Sequence, residues 1–269
     1  YGFGVGEQVA DLGREGLDGG EVAEREVAPE IVVVDRLGYV DDRDPRLTCG
    51  ESFLVNLTFV RRLALVVAAD RDQGGDPSHP TARITRCYLA PPARRRERRP
   101  EVVEELRRHY RVTDVIDYSL GEAEGQFLEG TGSLVLDYAS RVAYASLSQR
   151  THPAMVDRFC ADFGFTPVKF HSATADGRAV YHTNVIMCIG SEFALVGLPL
   201  IPDAKERQQV RASLVASGRA VIELSAEQIG EYAGNALELD NGHEKLLVLS
   251  ARGAASLGEE QRSALERYV

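Results

Sequence analysis

The sequence has little of what marks chains that span a membrane, carry a secretion signal or bind nucleic acid. No hydrophobic run approaches the roughly 18 residues that a membrane-spanning helix needs. The first 30 residues lack the basic segment and apolar core of a signal peptide. The chain carries 31 basic and 41 acidic side chains, a formal charge of −10, whereas phosphate binding needs a basic face. These absences predict a chain with neither a membrane nor a nucleic-acid partner.

Cysteine and methionine are also scarce. The four cysteines, at positions 49, 87, 160 and 188, are too widely spaced for a disulfide framework or a CxxC metal pair, so we expect a cytoplasmic location. Cys160 and Cys188 are predicted core residues. The histidines show no ligand spacing either, so we predict no metal, and the sequence indicates no organic cofactor. The chain opens at Tyr1 and has only two methionines, so we do not expect an intact translation product.

The chain has 269 residues, of which 44% are hydrophobic, enough for one large domain or two small ones. Residues 1–86 show weak periodicity, whereas residues 87–269 repeat a strand–strand–helix–strand unit, and we treat the whole as one domain. The first full copy spans strands at 127–137 and 141–147, a helix from Thr151 to a closing Gly164, and a strand at 167–171. The second has strands at 180–189 and 193–200, a helix at 203–217 with an Asp203–Glu206 capping box, and a strand at 220–224. The third has strands at 233–239 and 246–250 and a helix capped by Ser256.

Polar residues recur at equivalent places in this repeat. Glu129, His182 and Asn235 each lie in the first strand of a unit, at a constant separation of 53 residues. A constant period is the signature of a repeat architecture. One period earlier lies Asp76, in a turn-rich loop. If the units are arranged about an axis, these four side chains converge at one mouth, which is the predicted site.

Glu129 and His182 are the residues whose chemistry suits such a site. Glu129 is followed by Gly130 and Gly132, which allow a ligand to approach the backbone, and a carboxylate in an apolar pocket binds a planar cation bidentately. The alternative is a strand-end carboxylate paired with the backbone or an arginine. His182 can serve as acid and base near neutral pH, although a lone histidine is more often structural. We expect their functional atoms within about 10 Å, separated by a gap for a substrate head group.

Four stretches follow one another within residues 127–239: FLEGTGSLVLD, RVAYASLSQRTH, YHTNVIMCIG and YAGNALEL. In sequence and in order they resemble the guanidine-modifying superfamily of arginine deiminases, dimethylarginine dimethylaminohydrolases and amidinotransferases. The likeness covers about residues 90–269 and is greatest to the bacterial citrulline-hydrolase-like, arginine-deiminase-related branch. It implies an α/β fold, the five-unit pentein propeller, and cleavage of a C–N bond in an arginine- or citrulline-like substrate. By motif, Glu129 would hold the substrate nitrogens and His182 would be the acid/base. Thr131, Asn184, Asn235 and Asp76 are the candidate substrate contacts.

The same resemblance implies a cysteine nucleophile, which the family carries near the C-terminus, and we expect it beyond residue 269. Residues 1–86 do not match the family's first unit, and a sequence-frame error there would explain the mismatch. Two alternatives remain open: a non-catalytic pentein binding protein, as ribosome anti-association factors are, and a truncated, inactive copy of the enzyme. The sequence does not decide between arginine, citrulline, agmatine and methylarginine, nor between a monomer and a homo-oligomer.

Overall fold

The structure repeats one small sheet four times. The computed structural model describes residues 104, 107–108, 111–130, 132–240 and 245–269, and the backbone of three earlier strands. Within them the chain forms four three-stranded sheets. In every sheet the first two strands are antiparallel and the third runs parallel to the second. The described residues therefore form a mixed α/β fold with a repeated topology, as the sequence predicts.

We name the sheets I to IV in the chain order of their antiparallel strand pairs, and we call the leading strand of each pair its first strand. Sheet I contains β2 (Leu65–Ala69), β3 (Thr81–Arg86) and β4 (Arg111–Asp117). Sheet II contains β5 (Val135–Asp137), β6 (Val142–Leu147) and β7 (Thr166–His171). Sheet III contains β8 (Met187–Ile189), β9 (Phe193–Val196) and β10 (Ala220–Glu223). Sheet IV contains β11 (Leu237–Asp240), β12 (Lys245–Ser250) and β1 (Val32–Val34), which comes from the start of the chain.

Six helices accompany these strands within the described residues. They are α1 (Pro153–Phe163), α2 (Thr183–Ile186), α3 (Ala204–Ala216), α4 (Ala226–Gly230), α5 (Ala251–Ser256) and α6 (Glu259–Leu265). Two 3₁₀ turns occupy Ser119–Glu124 and Leu198–Leu200. Helix α1 connects β6 to β7, and α3 connects β9 to β10. A parallel pair needs such a crossover, so these two helices account for the parallel third strands of sheets II and III.

The ends of α1 and α3 follow from their sequences. His152 caps α1 by accepting a hydrogen bond from the amide of Ala154, and Gly164 ends it with φ = 69°. Asp203 caps α3 by accepting from the amides of Lys205 and Glu206. The predicted capping box is absent there, because the Glu206 carboxylate instead accepts from the backbone of His171 at 2.7 Å. A tertiary contact thus replaces the local one.

Sheets II, III and IV lie side by side through strands β5, β8 and β11. Strand β8 contacts both β5 and β11, and α3 packs on β7 as well as on β10. A hydrogen bond of 2.8 Å between the hydroxyls of Tyr144 and Ser213 joins β6 to α3. The larger hydrophobic core runs through sheets II, III and IV, and a smaller one lies between sheet II and α1. This arrangement brings the segments that precede β5 and β8 together.

Some predicted elements differ from the observed ones. The predicted strand at 180–189 is the single turn α2 followed by β8, and the predicted strand at 127–137 is regular only from Val135. Both departures lie at the site, where side chains and backbone bond across units instead of along a ladder. The prediction that Ser256 caps the last helix is wrong: Ser256 ends α5, and Gly258 precedes α6. Within the described residues, no helix combines the length and apolar character needed to span a bilayer.

Candidate functional site

The structure brings Glu129 and His182 into direct contact. The Nε2 atom of His182 lies 2.5 Å from Oε2 of Glu129, although the two residues are 53 positions apart. Both residues are buried, with 5% of Glu129 and 9% of His182 exposed. The convergence inferred from the repeat is therefore present, but the expected gap between the two side chains is not. The carboxylate and the imidazole are bonded to each other.

Close packing of backbone against the imidazole holds this contact. A Cβ atom on Gly132 would lie 2.7 Å from the ring of His182, so only glycine fits between the loop and the ring. The carbonyl oxygen of Gly132 also accepts a hydrogen bond from the amide of Asn184 at 3.3 Å. His182 itself has extended backbone angles and immediately precedes α2. The ring is thereby fixed between its own turn and the loop that carries Glu129.

A buried hydroxyl organises the Glu129 loop. The Ser133 hydroxyl accepts a hydrogen bond from the Glu129 amide at 2.7 Å and donates one to the carbonyl oxygen of Arg150 at 2.9 Å. The Thr151 hydroxyl lies 2.8 Å from it. Because an irregular loop has no ladder to satisfy its buried amides, this hydroxyl takes that role. It also couples the loop to the segment after β6.

Two residues that the sequence analysis did not single out complete the site. Nη1 of Arg150 lies 3.6 Å from Oε2 of Glu129. Its guanidinium carbon lies 4.8 Å from the ring centroid of Tyr181. The Tyr181 ring is 4.8 Å from that of His182 and is half exposed, so it forms the outer side of the cluster. Arg150 lies in the RVAYASLSQRTH stretch and Tyr181 begins the YHTNVIMCIG stretch, so both residues could have been selected from the family motifs.

The remaining candidate substrate contacts have different positions. Asn184 is half-buried beside Gly132, within the cluster. Asn235 follows Gly234, and a Cβ atom on Gly234 would lie 2.6 Å from the carbonyl oxygen of Val185 in α2. The segment of Asn235 thus abuts the turn that His182 begins. Thr131 and Asp76 lie outside the described residues.

Neither described cysteine has the properties of a nucleophile. Cys160 and Cys188 are both buried, as predicted for core residues. Burial raises the pKa of each thiol to about 12, because the thiolate would lose its hydration. Such thiols stay protonated at neutral pH and inert. In the part of the chain that the structure describes, no group of three His, Cys, Asp or Glu side chains is arranged to hold a metal ion.

The arrangement is suited to binding a planar cation and to moving a proton. The Glu129 carboxylate is buried among an imidazole and a guanidinium, where charge-assisted hydrogen bonds are stronger than in water. An imidazole can serve as a general acid or a general base toward a bound substrate. Arg150 shows that the carboxylate already accommodates one guanidinium group nearby.

Comparison with known proteins assigns the class and then the family. The guanidine-modifying superfamily inferred from the sequence motifs is confirmed, because residues 79–269 match the family model described as "N,N dimethylarginine dimethylhydrolase, eukaryotic". The chain belongs to this family. No curated protein matches the chain. The family match covers Glu129, His182 and Asn235.

Solved structures of two related proteins also match, at low identity. The N-terminal domain of ArgZ with bound substrate, "an arginine dihydrolase from the Ornithine-Ammonia Cycle in Cyanobacteria", is 14% identical, with a TM-score of 0.46 over 70% of this chain and 60% of that domain. AgrE in a ternary complex with ornithine and NAD⁺ is 13% identical, with a TM-score of 0.45 over 58% of this chain and 21% of that one. The chain thus spans less than two thirds of these proteins.

Proposed function

We propose that the chain is part of a hydrolase that cleaves a C–N bond of an arginine-like guanidino or ureido substrate. The observation that carries the proposal is the buried contact between Glu129 and His182. Membership of the dimethylarginine dimethylhydrolase family supports it, since that family name describes hydrolysis of a substituted arginine. The substrate class follows from the chemistry of the site, because a buried carboxylate can bind a planar cation through paired hydrogen bonds.

In this proposal the two residues divide the work. Glu129 holds the N–H groups of the substrate, and His182 donates a proton to the departing amine. Because Glu129 already contacts His182 and Arg150, an incoming guanidinium competes with both for the carboxylate. Binding therefore includes a rearrangement of the cluster. Asn184 and Asn235, on the segments beside the pair, are the proposed polar contacts to the rest of the substrate, together with Thr131 and Asp76.

The covalent step of the proposal uses a cysteine thiolate. The sulfur attacks the planar carbon, the C–N bond breaks, and the amine leaves with a proton from His182. Water, deprotonated by His182, then releases the product and regenerates the thiolate. Since Cys160 and Cys188 are buried thiols of high pKa, the nucleophile of this mechanism is a cysteine outside the described residues.

We further propose that the four sheets are blades of a pentein-type propeller. The shared topology of the sheets and the contacts of β8 with β5 and β11 support this arrangement. In such a ring the segments leading into successive first strands point to the same end of the axis. That placement would explain why Glu129 and His182 meet despite their separation in the sequence.

The decisive experiment is calorimetric titration with arginine, citrulline, agmatine and a methylarginine. Glu129→Gln keeps the size of the side chain but removes its charge, so we expect binding of the guanidinium ligands to weaken about tenfold or more. Glu192→Gln is the matched control, because that carboxylate is exposed and lies at another sheet boundary. Equal affinities for both variants would contradict the proposal.

Turnover of the same four compounds then distinguishes an enzyme from a binding protein. Release of an amine or ammonia from any of them, abolished in His182→Ala, supports the hydrolase. Ligand binding without turnover would favour the non-catalytic or inactive alternative, whose supporting observation is that the described thiols are buried. Absence of both binding and turnover would overturn the proposed function.

A further inference from the structure

We propose that Thr183 and Ser133 are positioning residues, whose hydroxyls set the contact between Glu129 and His182. Neither side chain touches the carboxylate–imidazole contact itself. Both side chains are completely buried, with 0% exposure. The Thr183 hydroxyl bonds to the backbone of Ser133, and the Ser133 hydroxyl bonds to the backbone of Glu129. The significance for catalysis depends on the proposed function, whereas the effect on the Glu129–His182 contact does not.

The Ser133 hydroxyl uses its full hydrogen-bonding capacity. It donates to the Arg150 carbonyl oxygen and accepts from the Glu129 amide and the Thr151 hydroxyl. A hydroxyl has one donor and two acceptor sites, so none remains for water. This single atom therefore fixes the backbone of Glu129 relative to the backbone of Arg150, whose side chain approaches the same carboxylate.

The Thr183 hydroxyl continues the chain of bonds into the sheet. It donates to the Ser133 carbonyl oxygen at 2.6 Å and accepts from the Ser146 amide at 2.7 Å. Ser146 lies in β6, the central strand of sheet II, whose ladder bonds hold it rigidly. Thr183 is covalently adjacent to His182. The hydroxyl thus ties the imidazole-bearing segment to the same serine that holds the carboxylate-bearing loop.

The consequence is that the two functional groups share one support. Displacement of either segment by about 1 Å would stretch the 2.5 Å contact beyond the ordinary range of hydrogen bonds, which weaken steeply with distance and angle. Side-chain networks of this kind contribute more than their separate bonds when every member is satisfied. Removing one hydroxyl should therefore loosen the contact while the sheets remain folded.

The test is the NMR signal of the His182 ring proton in protein labelled with ¹⁵N-histidine. In the unaltered chain we expect an Nε2–H resonance that exchanges slowly with water and is assigned by its loss in His182→Gln. Thr183→Val keeps the shape of the side chain and removes the hydroxyl, so that resonance should broaden or disappear. Thr183→Ser keeps the hydroxyl and should restore it.

Ser172→Ala is the matched control for a merely structural effect. The Ser172 hydroxyl is buried and bonded at 2.6 Å to the hydroxyl of Ser146, whereas Thr183 bonds to the backbone amide of Ser146. Removing the Ser172 hydroxyl therefore leaves the hydrogen bonds of Thr183 and Ser133 in place. Its removal should lower stability about as much as Thr183→Val and leave the His182 resonance unchanged. Ser133→Ala is the second positioning variant, for use if Thr183→Val does not fold.

Arginine titration gives the functional readout. We expect Thr183→Val to weaken arginine binding about tenfold and Ser172→Ala to leave it unchanged. The inference is overturned if the His182 resonance persists in both Thr183→Val and Ser133→Ala, or if Ser172→Ala removes it equally. Should the unaltered chain not bind arginine, the proposed function fails, and the resonance alone still decides the positioning roles.

Discussion

The boundary between sheets II and III differs from the boundary between sheets III and IV in where its charges lie. At the first, Asp137 and Arg219 form a bidentate ion pair with side chains 0% and 6% exposed, and Glu129 contacts His182. At the second, Lys245 pairs with Glu192, whose side chain is 59% exposed. Although the sheets share one topology, sheets II and III are joined by buried ion pairs, and sheets III and IV are joined by a solvent-exposed ion pair.

This difference explains why the candidate site lies at the first boundary. Charges taken out of water need well-placed partners, so a buried pair constrains the geometry of both segments that supply it. Exposed pairs are screened and contribute little. The Asp137–Arg219 pair holds the end of β5 against the segment before β10, so that the site lies between segments with little freedom to shift.

The largest expected effect is the loss of the buried pair. Arg219→Met leaves the Asp137 carboxylate buried without its partner, so the free energy of unfolding should fall by about 3–5 kcal/mol. Urea denaturation measures it. The double variant Asp137→Leu with Arg219→Met removes the unpaired charge and should recover most of that loss. A double variant as unstable as the single one would show that shape, not charge, matters at this boundary.

Gly132→Ala tests the close approach at the site. The added methyl would lie 2.7 Å from the His182 ring, so the ring must move away from Glu129. Arginine binding should weaken about tenfold or more by calorimetry, because the displaced ring disturbs the hydrogen bonds of the Glu129 carboxylate. Gly230→Ala is the control, because nothing lies within 4 Å of its added methyl, and binding should be unchanged. Equal affinities would mean that the ring position is unimportant for binding.

The buried thiol of Cys188 predicts a loss of stability in alkali. Its pKa is about 12 in the folded chain against an ordinary 9.0, so between these values the unfolded chain releases a proton that the folded chain retains. Raising the pH therefore favours unfolding, by up to about 1.4 kcal/mol per pH unit. Urea denaturation at pH 8, 9 and 10 measures the slope, which should be smaller in Cys188→Ala. An identical slope in that variant would contradict the assignment.

The smallest effect is expected at the second boundary. Lys245→Ala removes an exposed ion pair, and the free energy of unfolding should change by less than about 1 kcal/mol. Thermal melts at low and high salt measure it, and the difference between the two chains should shrink in high salt. A loss comparable to that of Arg219→Met would remove the contrast between the two boundaries.

Much of the fold was predictable from local pattern. Helices α1 and α3, the end of α1 at Gly164, and the central strands of sheets II, III and IV follow the predicted ranges within a few residues. Amphipathic spacing and capping residues act over a few neighbouring positions, so they can be recognised in the sequence without knowledge of tertiary contacts. The period of 53 residues also carried information about tertiary structure, because it predicts that Glu129 and His182 occupy equivalent places in neighbouring units.

The departures have one physical reason. Apolar residues on either side of His182 predict a continuous strand, but the Thr183 hydroxyl and the Asn184 amide bond to the neighbouring unit, and the chain makes a turn. The contribution of Arg150 was missed for the same reason. Its partner Glu129 lies 21 positions away at the start of the same unit, and Tyr181 lies 31 positions away in the next unit. Local preference has no information about such contacts.

The sequence by itself determined the repeated unit, the family motifs and the chemical types of the two principal side chains, because these depend on residue identity and spacing. Only the tertiary structure decided that Glu129 and His182 touch instead of facing each other across a gap. The reason is that the contact depends on packing to within about 1 Å, at Gly132 against the imidazole and at the buried hydroxyls beneath it. Spacing along a chain predicts which residues meet, and packing determines how closely.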